Sequence, residues 1–205
     1  MSDYVSLSAV QAARKAALLA GLAVGLALVA FTRAAALGHD VHELVELVGL
    51  ALLVVCILGR VWCSLYIGGA KVRRLVTNGP YSVVRNPLYV FSLIGAAGVG
   101  AQAGSIVLTL LCPLVAWLVF EAVIRKEEQA LLAVHGEAYE AYRRSTPRLL
   151  PNASLWWDYD ALTVRPVRVM VTFLDGLVFL LAIPVAEGLE QLQSSGVLPI
   201  IANLP

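Results

Sequence analysis

Apolar residues dominate five stretches of the chain, at about 16–37, 44–66, 88–103, 106–124 and 169–186, and the segments between and after them carry most of the charge. A helix needs roughly 20 apolar residues to cross a bilayer core of about 30 Å, so the pattern predicts five membrane spans. The first stretch follows Arg14 and Lys15, as a signal peptide would. It exceeds a signal peptide's apolar core of roughly 7–15 residues and further spans follow, so it reads as a retained helix. Only the small residues Gly104 and Ser105 separate the third and fourth stretches, which predicts a tight helical hairpin buried in the membrane. The expected fold class is an all-α, polytopic integral membrane protein, a single membrane domain over 1–205 with a cytoplasmic helical segment.

Composition agrees with that pattern. Of 205 residues 60% are hydrophobic and 14% charged, and the mean hydropathy of +0.81 excludes a cytosolic globular protein or a large separate soluble domain. The net charge of +1 offers no global field for nucleic acid. Cys56, Cys63 and Cys112 lie in apolar stretches without metal-type spacing and read as packed or lipid-facing thiols. Charge placement gives a direction. Arg14 and Lys15 precede the first span, Lys71, Arg73, Arg74 and Arg85 lie between the second and third, and Arg125, Lys126, Arg143, Arg144, Arg148, Arg165 and Arg168 between the fourth and fifth. These are 13 of the 15 basic residues, which places the N-terminus and both polar segments in the cytoplasm and the C-terminus outside. Trp156, Trp157 and Tyr159, ahead of the fifth span, read as interfacial anchors.

Two cytoplasmic segments hold most of the groups able to do chemistry. Residues 71–89 read KVRRLVTNGPYSVVRNPLY, with a turn at Asn78-Gly79-Pro80 and with Pro87 suited to the first turn of the third span. Residues 125–151 read RKEEQALLAVHGEAYEAYRRSTPRLLP, a helical pattern in which Leu132, His135, Tyr139 and Tyr142 share a face and Pro147 ends the helix. Glu121 and Asp175, ionisable groups within the fourth and fifth spans, are functional candidates because burying a charge there is costly. His39, His42 and Glu43 have ligand-like spacing but lack the second half of a site, so no metal is expected. The glycine pattern at Gly98–Ala103 lies inside an apolar helix with no strand before it. It reads as close helix packing, not as a nucleotide loop.

Gly79-Pro80-Tyr81, then Val84-Arg85-Asn86-Pro87-Leu88-Tyr89, Glu127-Glu128, the run Gly136-x-x-Tyr139-x-x-Tyr142, and Thr146-Pro147-Arg148-x-x-Pro151 together resemble the isoprenylcysteine carboxyl methyltransferases and the related phospholipid methyltransferases. These are integral membrane enzymes that use S-adenosylmethionine. The resemblance covers residues 66–151. It implies a cofactor site made of Arg73, Arg74, Leu75, Val76, Tyr81, Asn86, Pro87, Leu88, Tyr89 and Glu127. The residue types suit such a ligand: a carboxylate for its ammonium, aromatic faces near its sulfonium, and amide groups for adenosine.

The chain departs from the family pattern at two positions. Asn86 stands where most relatives have His, so this position is read as binding cofactor and not as a proton shuttle. Val123 occupies the place from which an arginine holds the substrate carboxylate in the prenylcysteine enzymes. Arg85 or Arg125 is then the candidate to hold an anionic acceptor, and Glu121 the candidate to serve an amine. The expected function is methyl transfer from S-adenosylmethionine to a lipophilic acceptor entering from the bilayer, with membrane lipid as the surrounding partner. The rival readings are a phospholipid amine N-methyltransferase and a non-catalytic membrane protein.

Overall fold

A computed structural model describes residues 39–67, 74–199, the short segments 32–34 and 202–204, and single positions between 16 and 30. The expected first span lies mostly outside the described residues. The others are helical, in the order expected. Helix α1 runs His39–Ile67, a single turn α2 covers Pro80–Val83, α3 is Pro87–Ala101, and α4 is Ile106–Ser145. The last apolar stretch is built from α5, Pro166–Leu177, a 3₁₀ turn at Val178–Leu181, and α6, Ala182–Ser194. Strands Thr32–Ala34 (β1) and Ala202–Leu204 (β2) pair in parallel, a small ribbon that the all-α expectation did not include.

Three helical stretches are long and apolar enough to cross a bilayer, Asp40–Ile67, Ile106–Ser145 and Pro166–Ser194, whereas Pro87–Ala101 is shorter. Their outer faces carry exposed Leu47, Leu58, Leu110, Leu118 and Leu181. So much contiguous apolar surface is stable against lipid tails and would be a liability in water. The protein is an integral membrane protein.

The core is made where α3 lies between α1 and α4. Glycines on α3 set the spacing: a Cβ at Gly98 would strike the Gly49 carbonyl and Leu53 of α1, and one at Gly100 would strike the Leu108 backbone of α4. The hairpin turns over Gln102 to Gly104, and Ser105 caps α4 by accepting a hydrogen bond from the Leu108 amide. That matches the predicted hairpin. Helix α4 then continues for 40 residues, so the fourth span and the polar segment after it share one helix. Gly136 interrupts it with φ 50° and ψ −123°, a conformation open to glycine and strained for other residues.

The chain order at the two ends follows from this packing. At one end, the ribbon β1–β2 and the start of α1 meet the last turns of α6. At the other, the end of α1 meets residues 78–89 and 143–158. From His42 to Tyr66 the axis of α1 extends about 36 Å at 1.5 Å per residue.

Candidate active site

The two polar segments, 40 to 80 residues apart in sequence, are stitched together by backbone and side chain. The Arg85 amide donates to the Pro147 carbonyl (2.8 Å), the Asn152 amide to Val83 (2.9 Å) and the Gly79 amide to Trp157 (2.9 Å). Gly79, at φ 58°, permits the last contact, since a Cβ there would strike the Tyr66 ring. Tyr142 donates from its hydroxyl to the Tyr81 carbonyl at 2.6 Å. Burial pushes the Tyr139 phenol up to about 12 and raises Tyr142 as well, so both are neutral, packed rings at physiological pH.

Within this seam lies a network of alternating charge. Arg85 Nε meets Glu128 Oε1 at 3.2 Å, with only 10% and 15% of the two side chains exposed, and Arg85 Nη1 donates to the carbonyls of Arg143 (2.6 Å) and Thr146 (3.0 Å). Asn86 Nδ2 donates to the same Glu128 oxygen at 3.1 Å and to the Arg148 carbonyl at 3.3 Å. Arg148 lies 3.4 Å from the other Glu128 oxygen and donates from Nη1 to Glu121 at 2.8 Å. Glu121 also accepts from Arg125 Nε at 2.7 Å. Arg148 Nη2 and His135 Nε2 are buried without a hydrogen-bond partner among the described residues. Buried donors of this kind are costly unless a ligand or water completes them.

The sequence-predicted residues divide accordingly. Arg85, Asn86, Glu121 and Arg125 come together in the network, although Arg125 is 69% exposed. Tyr89 is buried against Phe120, with ring centroids 5.3 Å apart, in an apolar cluster with Val123. Tyr81, Leu88 and Val76 pack around Cys63 on α1. Pro87 is buried, Leu75 and Glu127 are half-buried, Arg74 is exposed, and Arg73 lies outside the described residues. Asp175 is exposed on α5.

Three features were missed from sequence. Glu128, which enters the sequence reading only as part of the Glu127-Glu128 pair, is the carboxylate that Arg85, Asn86 and Arg148 share. Arg60 is buried within α1, donates to Ser92 of α3 and lies 5.8 Å from the Phe179 ring. Its signal was plain: a charge inside an apolar run marks a site by default. The third is a latch at the membrane-facing edge, where Asp158 accepts from Tyr66 (2.5 Å) and from Asn78 (2.9 Å) while Trp156 stacks on Trp62 at 5.8 Å. Burial opposes the Asp158 charge, but the hydrogen bonds from Tyr66, Asn78 and the Tyr159 amide outweigh it and hold the carboxyl below its usual range.

Comparisons with known proteins agree with the resemblance. The family model described as phospholipid methyltransferase matches residues 47–138, which include most of α1, the hairpin and Glu127-Glu128. The cobalt-zinc-cadmium resistance protein CzcN of Cupriavidus metallidurans is 38% identical over 146 residues, covering 71% of this chain and 67% of that protein. The nickel-cobalt-cadmium resistance protein NccN of Alcaligenes xylosoxydans xylosoxydans is 35% identical over 77% of this chain and 74% of its own. The protein-S-isoprenylcysteine O-methyltransferase of Schizosaccharomyces pombe is 43% identical over 81 residues, 40% of this chain and 34% of that protein. No solved structure gives a significant match. On the family model and these relatives, the chain belongs to the phospholipid and isoprenylcysteine methyltransferase family and is a membrane methyltransferase.

Proposed function

We propose that the protein transfers a methyl group from S-adenosylmethionine to the carboxylate of a lipophilic acceptor that reaches the charged seam from the bilayer. The observation that carries this reading is the pairing of Glu121 with both Arg125 and Arg148. A carboxylate held by two guanidiniums is a weak base, so the seam lacks at that position the proton acceptor an amine substrate needs, while the same arginines suit an anionic one. Arg85 holds the chain segments together through Glu128 and two carbonyls. Arg148, with a buried donor facing no described partner, therefore joins Arg125 as the candidate to hold the acceptor anion, in the role that Val123 does not fill.

The residues present fit the cofactor the family uses. Glu127 offers its carboxylate to the ligand's ammonium, Asn86 and the backbone at 74–76 offer polar groups to adenosine, Tyr81 and Tyr89 contribute aromatic faces, and Pro87 and Leu88 close the apolar side. The ligand supplies an already activated methyl group. What the chain does is align and dehydrate: the 143–158 seam keeps water from the reacting atoms, and the arginines orient the nucleophile. The two polar segments face the cytoplasm, where the cofactor is, and the ribbon end faces the other side.

The resistance named in CzcN and NccN is not a reaction and bears on no particular acceptor. The discriminating experiment incubates detergent-solubilised protein with methyl-labelled cofactor and either a prenylated cysteine acid or an aminophospholipid. Base-labile label on the acid is expected. Base-stable label on the amine would replace this reading with N-methylation on the same scaffold.

A further inference from the structure

Glu121 is the sole charged residue in the apolar part of α4, residues 106–124, and an ionisable group at such a place marks a site by default. Before it on the same helix face lie Leu110, Leu114, Trp117 and Leu118, a stripe of exposed apolar side chains at helical spacing that leads along the spanning part of α4 to Glu121. Arg125 follows one turn later, and Arg148 reaches the same point from the segment after α4. An amphiphile lying along that stripe with its carboxylate at the arginines places its charged end where Glu121 holds its own.

The contacts of Glu121 are those of a carboxylate ligand only half engaged. Its Oε1 accepts from Arg125 Nε at 2.7 Å and from Arg148 Nη1 at 2.8 Å, one oxygen serving two guanidiniums. Arg148 Nη2, beside Nη1 on the same fork, is buried and has no hydrogen-bond partner among the described residues. A guanidinium fork is matched when a carboxylate gives one oxygen to each of two N–H groups. Glu121 fills one prong and leaves the other, in a setting where an unmade hydrogen bond is costly. A carboxylate that takes both prongs outcompetes it, and Arg125, four residues away on the same helix, keeps the displaced Glu121 paired. Glu128, 3.4 Å from Arg148 Nε, steadies the guanidinium on its other side.

Resting on the carboxylate reading above, we propose that Glu121 sets acceptor specificity as an internal competitor: it occupies Arg148 while no acceptor is bound and yields the fork to an acid that engages both prongs. The exchange makes and breaks no covalent bond and moves no proton; one ion pair replaces another. A neutral or cationic headgroup on the same apolar chain has no charge with which to displace Glu121 and is turned away. The apparent affinity for the acid is lowered in proportion to the share of time that Glu121 holds the fork.

The test titrates the detergent-solubilised full chain by calorimetry with a prenylated cysteine acid and with its carboxamide, in the wild type and in Glu121→Gln. Loss of the competitor should tighten the acid by about tenfold, the factor expected if Glu121 holds Arg148 for about nine-tenths of the time, and leave the carboxamide unchanged. The ligand-free variant should melt somewhat earlier, because two arginines lose their carboxylate. Tighter acid binding together with lower stability is a pair of changes that a merely structural Glu121 does not produce. Adding Arg148→Lys, which keeps the charge but not the fork, should abolish the gain. Glu121→Asp, which keeps the charge on a shorter arm, should give part of the gain and carries the test if the glutamine variant fails to fold. Unchanged or weaker acid binding in the folded variants, equal tightening of acid and carboxamide, or no acid binding to any of the proteins would overturn the proposal. Binding is read here without turnover, so the two readings fail separately: label on the amine in the acceptor assay sets aside carboxylate methylation, whereas lack of acid-selective tightening sets aside the role of Glu121.

Discussion

The two ends of α1 keep their acidic side chains in opposite company. Near Tyr66, Glu121 and Glu128 are each engaged by two arginines, and Asp158 by a tyrosine and an asparagine. Near His42, Glu46 and Glu190 both lie within ion-pair distance of the His42 imidazole. Carboxylates matched by guanidiniums hold chain segments and position ligands, whereas an imidazole set between two carboxylates joins the two helices that carry them. Removing one negative charge at the Tyr66 end should therefore cost stability or ligand affinity.

The largest effect is expected from Glu128→Ala. It strands Arg85 in a nearly buried setting, and breaking such a pair costs about 3–5 kcal/mol, so the variant should melt earlier and lose cofactor binding together. Calorimetric unfolding and labelled-cofactor binding check this. Glu127→Gln sharpens the contrast within one turn: a charge-assisted contact to the cofactor's ammonium contributes about 1.5–3 kcal/mol, a tenfold to hundredfold loss of affinity. Equal affinity in the folded variant removes Glu127 from the site.

Gly136→Ala tests the break in α4 that precedes Tyr139 and Tyr142. Its backbone conformation should cost about 1–3 kcal/mol with an alanine, lowering the melting temperature although nothing lies near the new methyl group. The Asp158 latch gives a pH signature. Its carboxyl is depressed in the folded protein, so its contribution is present above the usual value near 3.8 and is lost as pH falls through the lower, folded value. Tryptophan fluorescence, reporting the stacked Trp62 and Trp156, should change on that acid limb and cease to do so in Asp158→Asn.

Periodicity and charge placement were enough to locate α1, the hairpin and the last span, because a long apolar run has few other structures open to it in a bilayer. The same reading singled out residues 71–89 and 125–151, and the described parts of these segments meet in the charged seam. The finer choices escaped for physical reasons. Glu127 and Glu128 stand about 100° apart around a helix, and which one turns inward depends on how α4 crosses α3, not on local sequence. Arg148 follows the helix stop at Pro147, in a segment whose path is set by the Arg85 and Asn86 hydrogen bonds to it. The long-range pairings, Tyr66 with Asp158 and His42 with Glu190, join residues 92 and 148 positions apart, which no window of local pattern can connect.

The brevity of α3 has a consequence for the surrounding lipid. Fifteen residues extend about 22 Å, less than the roughly 30 Å of a hydrocarbon core, and the tip beyond them carries buried Gln102 and Ser105. One arm of the hairpin is thus about three quarters as long as a spanning helix, while its other arm, α4, is long enough to cross. Where α3 meets lipid, this mismatch should draw headgroups inward. The protein should partition into thin, fluid bilayers in preference to thick, sterol-rich ones, a sorting property that resides in the length of one helix and in no part of the active site.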